Sequence, residues 1–129
     1  MVRIAMQHSE RFLQIVEAAK VRIREITVEE VRQDRDGGVE HVLIDTREES
    51  EWARGRASGA MHLGKGIIER DIESKVPELE RKIVLYCGGG YRSALAADAL
   101  QQMGYTNVFS LAGGWRAWNQ AQLPVETGE

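Results

Sequence analysis

Cysteine is almost absent from this chain: Cys87 is the only one among 129 residues. A single cysteine excludes an internal disulfide and predicts a reducing compartment, read here as cytoplasmic. Histidine is nearly as sparse. His8, His41 and His62 lie far apart and form no HExxH pair, so the paired spacing that announces zinc is missing. No metal site and no bound cofactor are expected. No apolar run approaches the ~18 residues of a membrane span. The start, "MVRIAMQHSERF", lacks the continuous apolar core of a secretory signal, so no membrane association is expected. A cationic tract is also missing. Seventeen Lys and Arg face 20 Asp and Glu, a net charge of −3, which predicts no nucleic-acid footprint. There are only two prolines, and no linker, repeat or low-complexity stretch.

What is present suits one soluble domain. Hydrophobic residues make up 43% and charged residues 29%, ordinary for a globular chain. A domain of this size buries roughly two-thirds of its unfolded surface and needs no staple. "SERFLQIVEAAKVRI" (9–23) puts Phe12, Ile15, Val16 and Ala19 at helical spacing, one predicted apolar face. A short extended "REI" follows. "TVEE" (27–30) is a capping box that opens a helix ending near Gly37 and Gly38. "HVLID" (41–45) reads as a buried strand, and "TREE" (46–49) as a second capping box with a helix behind it. "GAMHL" (59–63) predicts a brief strand, and the stretch after it a broken helix ending before Pro77. "KIVLYC" (82–87) is the clearest strand. A helix over 92–103, a strand over 107–111 and a short helix over 113–122 follow. Strands alternating with helices predict an α/β fold: three layers, with a central, mostly parallel five-stranded sheet. The boundaries read as a helical extension (1–23), one domain (24–125) and a frayed tail (126–129).

The chemistry concentrates in "VLYCGGGYRSAL" (84–95). In an open parallel sheet, ligands sit at the carboxyl ends of strands, and Cys87 ends the clearest one. Gly88, Gly89 and Gly90 let the backbone curl and aim N–H groups inward, as anion-binding loops do. The helix starting near Arg92 adds its positive end, and Arg92 adds a permanent charge with fork geometry. All three favour a thiolate, the nucleophilic form, at Cys87. The bland alternative is a small buried cysteine before a plain turn. Three glycines exceed what such a turn needs.

Other glycine-loop chemistries fit less well. A Walker loop needs a lysine that is not here. The dinucleotide fingerprint fails where Ser93 stands in place of its third glycine, and no acidic residue ends the next strand. A Cys–His hydrolase would need a histidine partner that spacing does not identify. Cysteine-dependent phosphatases close C-x5-R around a tetrahedral phosphate. Here Arg92 follows Cys87 by five positions, giving C-x4-R. The smaller ring suits one terminal sulfur atom on cysteine better than a phosphoryl group.

Four segments in order then resemble the single-domain rhodanese family of sulfurtransferases. They are "LIDTREESEW" (43–52), "GRASGAMHL" (55–63), "IVLYCGGGYRS" (83–93) and "GYTNVFSLAGGWRAW" (104–118). The resemblance covers roughly residues 24–125. It departs from the family pattern at Arg56, where His is usual, and at Ala57 and Ser58, where Ile-Pro is usual.

The resemblance implies that Cys87 is the nucleophile and becomes a persulfide. The backbone of Gly88, Gly89, Gly90, Tyr91, Arg92 and Ser93 would cradle the outer sulfur, with Arg92 facing the site or bracing the loop. Asp45 and Arg47 would organise the pocket through hydrogen bonds; the bland alternatives are an acceptor for loop N–H groups and a surface arginine. Trp115 and Trp118 read as core and lid packing. The implied reaction moves a sulfane sulfur from thiosulfate or a similar donor to a thiol or cyanide by double displacement. Partners are then small sulfur-containing anions and thiols, with a protein sulfur acceptor as a further candidate. A persulfide carrier serving a partner enzyme remains a rival, as does, more distantly, a small phosphatase or arsenate reductase. The extension over 9–23 is expected to pack on the domain.

Overall fold

The structure, a computed structural model, describes residues 8–128. Residues 1–7 of the expected extension and Glu129 of the expected tail lie outside the described residues. In chain order the elements are α1 (Glu10–Arg22), β1 (Arg24–Ile26), α2 (Val28–Gly37), β2 (Val42–Asp45), α3 (Glu49–Arg54), β3 (Arg56–Ala57), β4 (Met61–His62), α4 (Ile68–Lys75), β5 (Ile83–Tyr86), α5 (Tyr91–Gln102), β6 (Val108–Leu111), α6 (Gly114–Gln120) and β7 (Val125–Glu126). Among the described residues no helix is long and apolar enough to cross a membrane.

Five strands form the central sheet in the order β1-β6-β5-β2-β4, and every pairing in it is parallel. Strand β5 lies at its middle, buried at all four positions. Its side chains alternate between two cores, as the pleat requires. Ile83 and Leu85 join Ile44, Val108 and the inner faces of α4 and α5. Val84 and Tyr86 join Leu43, Val31 of α2 and Trp118 of α6. This is the expected three-layer arrangement, and it puts Cys87 at the carboxyl edge with covered sheet on both sides.

Three local expectations change. First, the box in "TREE" is shifted by two residues. Buried Thr46 donates its hydroxyl to the Tyr86 carbonyl (2.9 Å), continuing the β2–β5 pairing. The helix starts at Glu49 instead, where the Glu51 carboxylate accepts from the Glu48 N–H (3.1 Å). Second, the chain end is engaged. Strand β7 pairs antiparallel with β3 in a separate two-stranded sheet, so Glu126, placed in the frayed tail by the sequence, sits opposite Arg56. Two-residue strands of this kind carry no periodicity to read.

Third, α1 lies on α5 with Val16 and Ala19 buried but Ile15 55% exposed. A helix turns about 100° per residue, so Ile15 is about 60° to one side of Phe12 and off the stripe made by 12, 16 and 19. The contact explains the alanines of α5. Ala94, Ala96 and Ala97 are all buried, because this helix has the sheet on one side and α1 on the other. Arg22 fixes the pairing with a two-pronged bond to Asp98 (3.0 and 2.7 Å), which holds the Asp98 carboxyl below its usual range.

Ala19 is fully buried at this close crossing. Ala19→Leu is expected to cost about 1–3 kcal/mol by overpacking, read as a lower urea midpoint with an unchanged slope. Wild-type stability would mean that α1 does not seat as described.

Candidate active site

The loop after β5 is built so that its sulfur replaces a helix cap. Helix α5 begins after Gly90 and has no side-chain cap. A cap normally accepts from the N–H of the second or third helical residue. Here the Cys87 Sγ does this, accepting from the Ser93 N–H (3.3 Å) and also from the Gly90 N–H (3.1 Å). Gly90 reaches this position with φ +102°, a backbone state that favours glycine. Two N–H dipoles and a helix start converging on one sulfur form an environment for sulfur-borne negative charge.

The other two glycines differ in role. A Cβ on Gly88 would meet the Arg92 guanidinium at 3.1 Å, whereas one on Gly89 would meet nothing within 4 Å. Gly89 therefore opens onto solvent-accessible space. Under the sulfur, the Ser93 hydroxyl lies 3.5 Å from Sγ and 2.8 Å from the Ser110 hydroxyl. Both serines are fully buried, so a polar pair supports the loop from within the α5 face of the sheet.

The Cys87 and Gly88 carbonyls of the same loop also need donors. Helix α6 supplies them. The Trp115 N–H donates to the Cys87 carbonyl (2.7 Å) and the Arg116 N–H to the Gly88 carbonyl (3.2 Å). This approach is possible only because residue 114 is glycine: any Cβ there would run into the Cys87 carbonyl oxygen, and its φ is +53°. The Gly113–Gly114 pair thus backs the cysteine loop, a role not legible in the local sequence.

Of the expected site residues, the loop from Cys87 to Ser93 comes together as one unit. Arg92 braces it and also lines the cleft beside Cys87. Its guanidinium grips the Glu51 carboxylate (2.8 and 3.3 Å). That bond, with the nearby Cys87, holds Arg92 above its usual range, and it pulls Glu51 below the usual glutamate range. Glu51 is the residue that local reading overlooked. Its sequence signals are its place in the E-x-x-E start of α3 and in the family-like segment "LIDTREESEW".

Asp45 and Arg47 sit behind the cleft, not in it. Arg47 is buried, which removes the surface reading, and Asp45 accepts from Arg47 rather than from the cysteine loop. The Asp45 carboxylate takes the Arg47 backbone N–H (2.8 Å), its guanidinium (2.8–3.1 Å) and the Tyr86 hydroxyl (2.7 Å). Burial, with Asp45 alongside, pushes the Tyr86 hydroxyl well above its usual range. Arg47 also donates to the Gly55 carbonyl (2.6 Å) and lies 4.7 Å from the Trp115 ring centre. The pair is thus in contact with the cleft only through Trp115 among these neighbours.

Above the loop is a cleft of about 830 Å³. Cys87, Gly88 and Gly89 form its floor, and Trp115 stands in its wall. Trp118, by contrast, is core and fully buried. His8 and Phe12 line the same cleft, so the N-terminal segment both packs on the domain and shapes its site. Among the described residues, no three His, Cys, Asp or Glu side chains gather as a metal-ligand group.

Comparison with known proteins places the chain in a family. The profile of the Rhodanese-like domain family matches residues 27–121. The chain is 31% identical over 104 residues to the Thiosulfate sulfurtransferase GlpE of Haemophilus influenzae, covering 81% of this chain and 95% of that one. It is 36% identical over 100 residues to the Probable adenylyltransferase/sulfurtransferase MoeZ of Mycobacterium tuberculosis, covering 77% of this chain. The chain spans only a quarter (25%) of that relative's length. Among solved structures, a Rhodopseudomonas palustris protein described as a possible tyrosine phosphatase is similar with a TM-score of 0.79 and 29% identity, covering 98% of this chain and 99% of that one. That likeness extends beyond residues 27–121.

Two outcomes test the supports of the loop. Gly114→Ala should cost about 1–3 kcal/mol and abolish Cys87 reactivity toward sulfur donors, measured by urea unfolding and thiol labelling. The Glu51–Arg92 bond contributes stability that is complete above the ordinary glutamate range and is lost as pH falls through the lowered Glu51 value. Melting curves between about pH 3 and 7 should therefore show a weaker acid dependence in Glu51→Gln than in wild type. Parallel curves would rule out this brace.

Proposed function

This chain belongs to the rhodanese-like domain family, and on that premise we propose that it is a sulfurtransferase that moves a sulfane sulfur from thiosulfate or a similar donor to a thiol or cyanide through a persulfide on Cys87. The observation that carries this reading is the convergence of the Gly90 and Ser93 N–H groups on the Cys87 Sγ.

The reaction has two displacements. The Cys87 thiolate attacks the outer sulfur of the donor. The new S–S bond forms as the donor's own S–S bond breaks, and its electron pair leaves with sulfite or a thiolate. The acceptor then attacks the outer sulfur of the persulfide, and Cys87 leaves as thiolate. Both leaving groups are stable anions, so no strong general acid is required. The loop from Gly88 to Ser93 contributes preorganised N–H dipoles where negative charge sits on sulfur, and Cys87 contributes covalent catalysis. Glu51 and Arg92 hold the loop shape, and Asp45 and Arg47 fix the Trp115 wall.

A second reading is a persulfide carrier that serves a partner enzyme. It is favoured by the likeness to a relative whose name joins adenylyltransfer and sulfurtransfer. The phosphatase reading, present in the description of the Rhodopseudomonas palustris neighbour, has less support. The loop is one residue short of C-x5-R, and the Arg92 fork is already taken by Glu51. The same occupation weakens the arsenate reductase reading.

Thiosulfate added to the purified protein should release one sulfite per chain and add one sulfur atom to its intact mass. Cys87→Ser should do neither. Turnover with cyanide or free thiols distinguishes the enzyme from the carrier, which would load but discharge slowly until a partner is added. Failure of every sulfane donor to load Cys87 would sink the sulfur-transfer reading, and hydrolysis of an aryl phosphate by wild type but not Cys87→Ser would put phosphatase in its place.

A further inference from the structure

The cleft over Cys87 is much larger than the inorganic donor requires. At about 830 Å³ it exceeds several-fold the volume of thiosulfate, roughly that of three waters or about 90 Å³. It lies in the range that encloses organic ligands, about 300–1,000 Å³. Its walls are not uniform. One side is aromatic: Phe12 and His8 from the N-terminal segment meet Tyr91 of the loop, with His8 and Tyr91 rings edge-on at 4.5 Å and Phe12 at 6.3 Å from Tyr91. Trp115 adds a second ring, held in place by the Arg47 guanidinium. Arg116 lines the same cleft. It is exposed, and it has no ion-pair partner among the described residues. The other cation in the cleft, Arg92, is neutralised by Glu51.

We propose that this cleft is a subsite for an organic thiol that carries an aromatic or apolar body and a carboxylate. The N-terminal helix is its specificity wall. The apolar body packs between Phe12 and Trp115, the carboxylate faces Arg116, and the thiol comes down over Gly89, the one loop glycine whose Cβ direction is open. The proposal rests on the sulfurtransferase reading of Cys87 and names its acceptor. In the second displacement the thiolate of this ligand attacks the outer sulfur of Cys87–S–SH. The S–S bond to Cys87 breaks, Cys87 leaves as thiolate, and the ligand departs as its own persulfide. Residues 8 and 12 lie outside the family match over 27–121, so this wall belongs to the extension and not to the shared domain.

Thiosalicylate and its neutral analogue thiosalicylamide separate the two contributions. Calorimetric titration of the full-length, unloaded protein should show thiosalicylate bound about threefold tighter than the amide, a margin typical of an exposed ion pair. Arg116→Gln should erase that margin. Phe12→Ala should weaken both ligands by about tenfold through lost apolar contact. Discharge of the preloaded Cys87 persulfide should follow the same order, with the ratio of thiosalicylate to mercaptoethanol rates falling about tenfold in Phe12→Ala. Equal affinity for acid and amide, or binding indifferent to both variants, would overturn the proposal. Arg116 is exposed, so its variant folds and the charge test stands even if Phe12→Ala loosens α1. Loading of Cys87 is scored separately. If Cys87 never loads, the sulfur-transfer reading is what has failed, while the titration still decides the ligand class of the cleft.

Discussion

Everything at this site depends on the two backbone bonds from α6 to the cysteine loop. The Trp115 and Arg116 N–H groups hold the Cys87 and Gly88 carbonyls outward. Without a donor there, the carbonyl of buried Cys87 would be left unsatisfied, at a cost of about 1–3 kcal/mol. With them, Cys87 and Gly88 are pinned from outside, and the Gly90 and Ser93 N–H groups point at one sulfur. The site is therefore made by two chain segments about 27 residues apart, joined edge to edge where β5 and β6 end. The absence of a Cβ at Gly114 is the condition for their approach.

A second layer fixes what the first layer faces. Asp45 collects donors from Arg47 and Tyr86 within the buried edge of the sheet. A buried ion pair of this kind contributes shape more than stability, since desolvation offsets much of its attraction. Here the shape is the position of the Arg47 guanidinium beside Trp115. Glu51 and Arg92 form a second ion pair, in the lining of the cleft itself. The Arg47 and Arg92 guanidinium groups are both paired with carboxylates.

The fold class was legible because its strands are short apolar runs between capped helices. "KIVLYC" and "HVLID" carry that signal almost alone. The loop was legible because glycine, cysteine and arginine each have a backbone or charge reason to be there. What stayed hidden depends on contacts between distant positions. Glu51 meets Arg92 across 41 residues, and no local pattern pairs them. Gly114 matters for the chain it approaches, not for its own turn. Ile15 and Val16 are equally apolar, and only the angle at which α1 crosses α5 decides which is buried. The box in "TREE" overlaps a second one two residues later, and the demand of Thr46 for the Tyr86 carbonyl chose between them.

The central claim is that the cysteine loop, whose Gly90 and Ser93 N–H groups meet Sγ, holds an added sulfur on Cys87. A crystal structure of the thiosulfate-treated protein tests it most directly. The account predicts one extra atom bonded to Sγ, lying inside the loop and accepting from N–H groups between Gly88 and Ser93, with the α6 bonds to the Cys87 and Gly88 carbonyls unchanged. A bare Sγ in a protein whose mass shows the added sulfur elsewhere, or an outer sulfur turned away from the loop N–H groups, would contradict it.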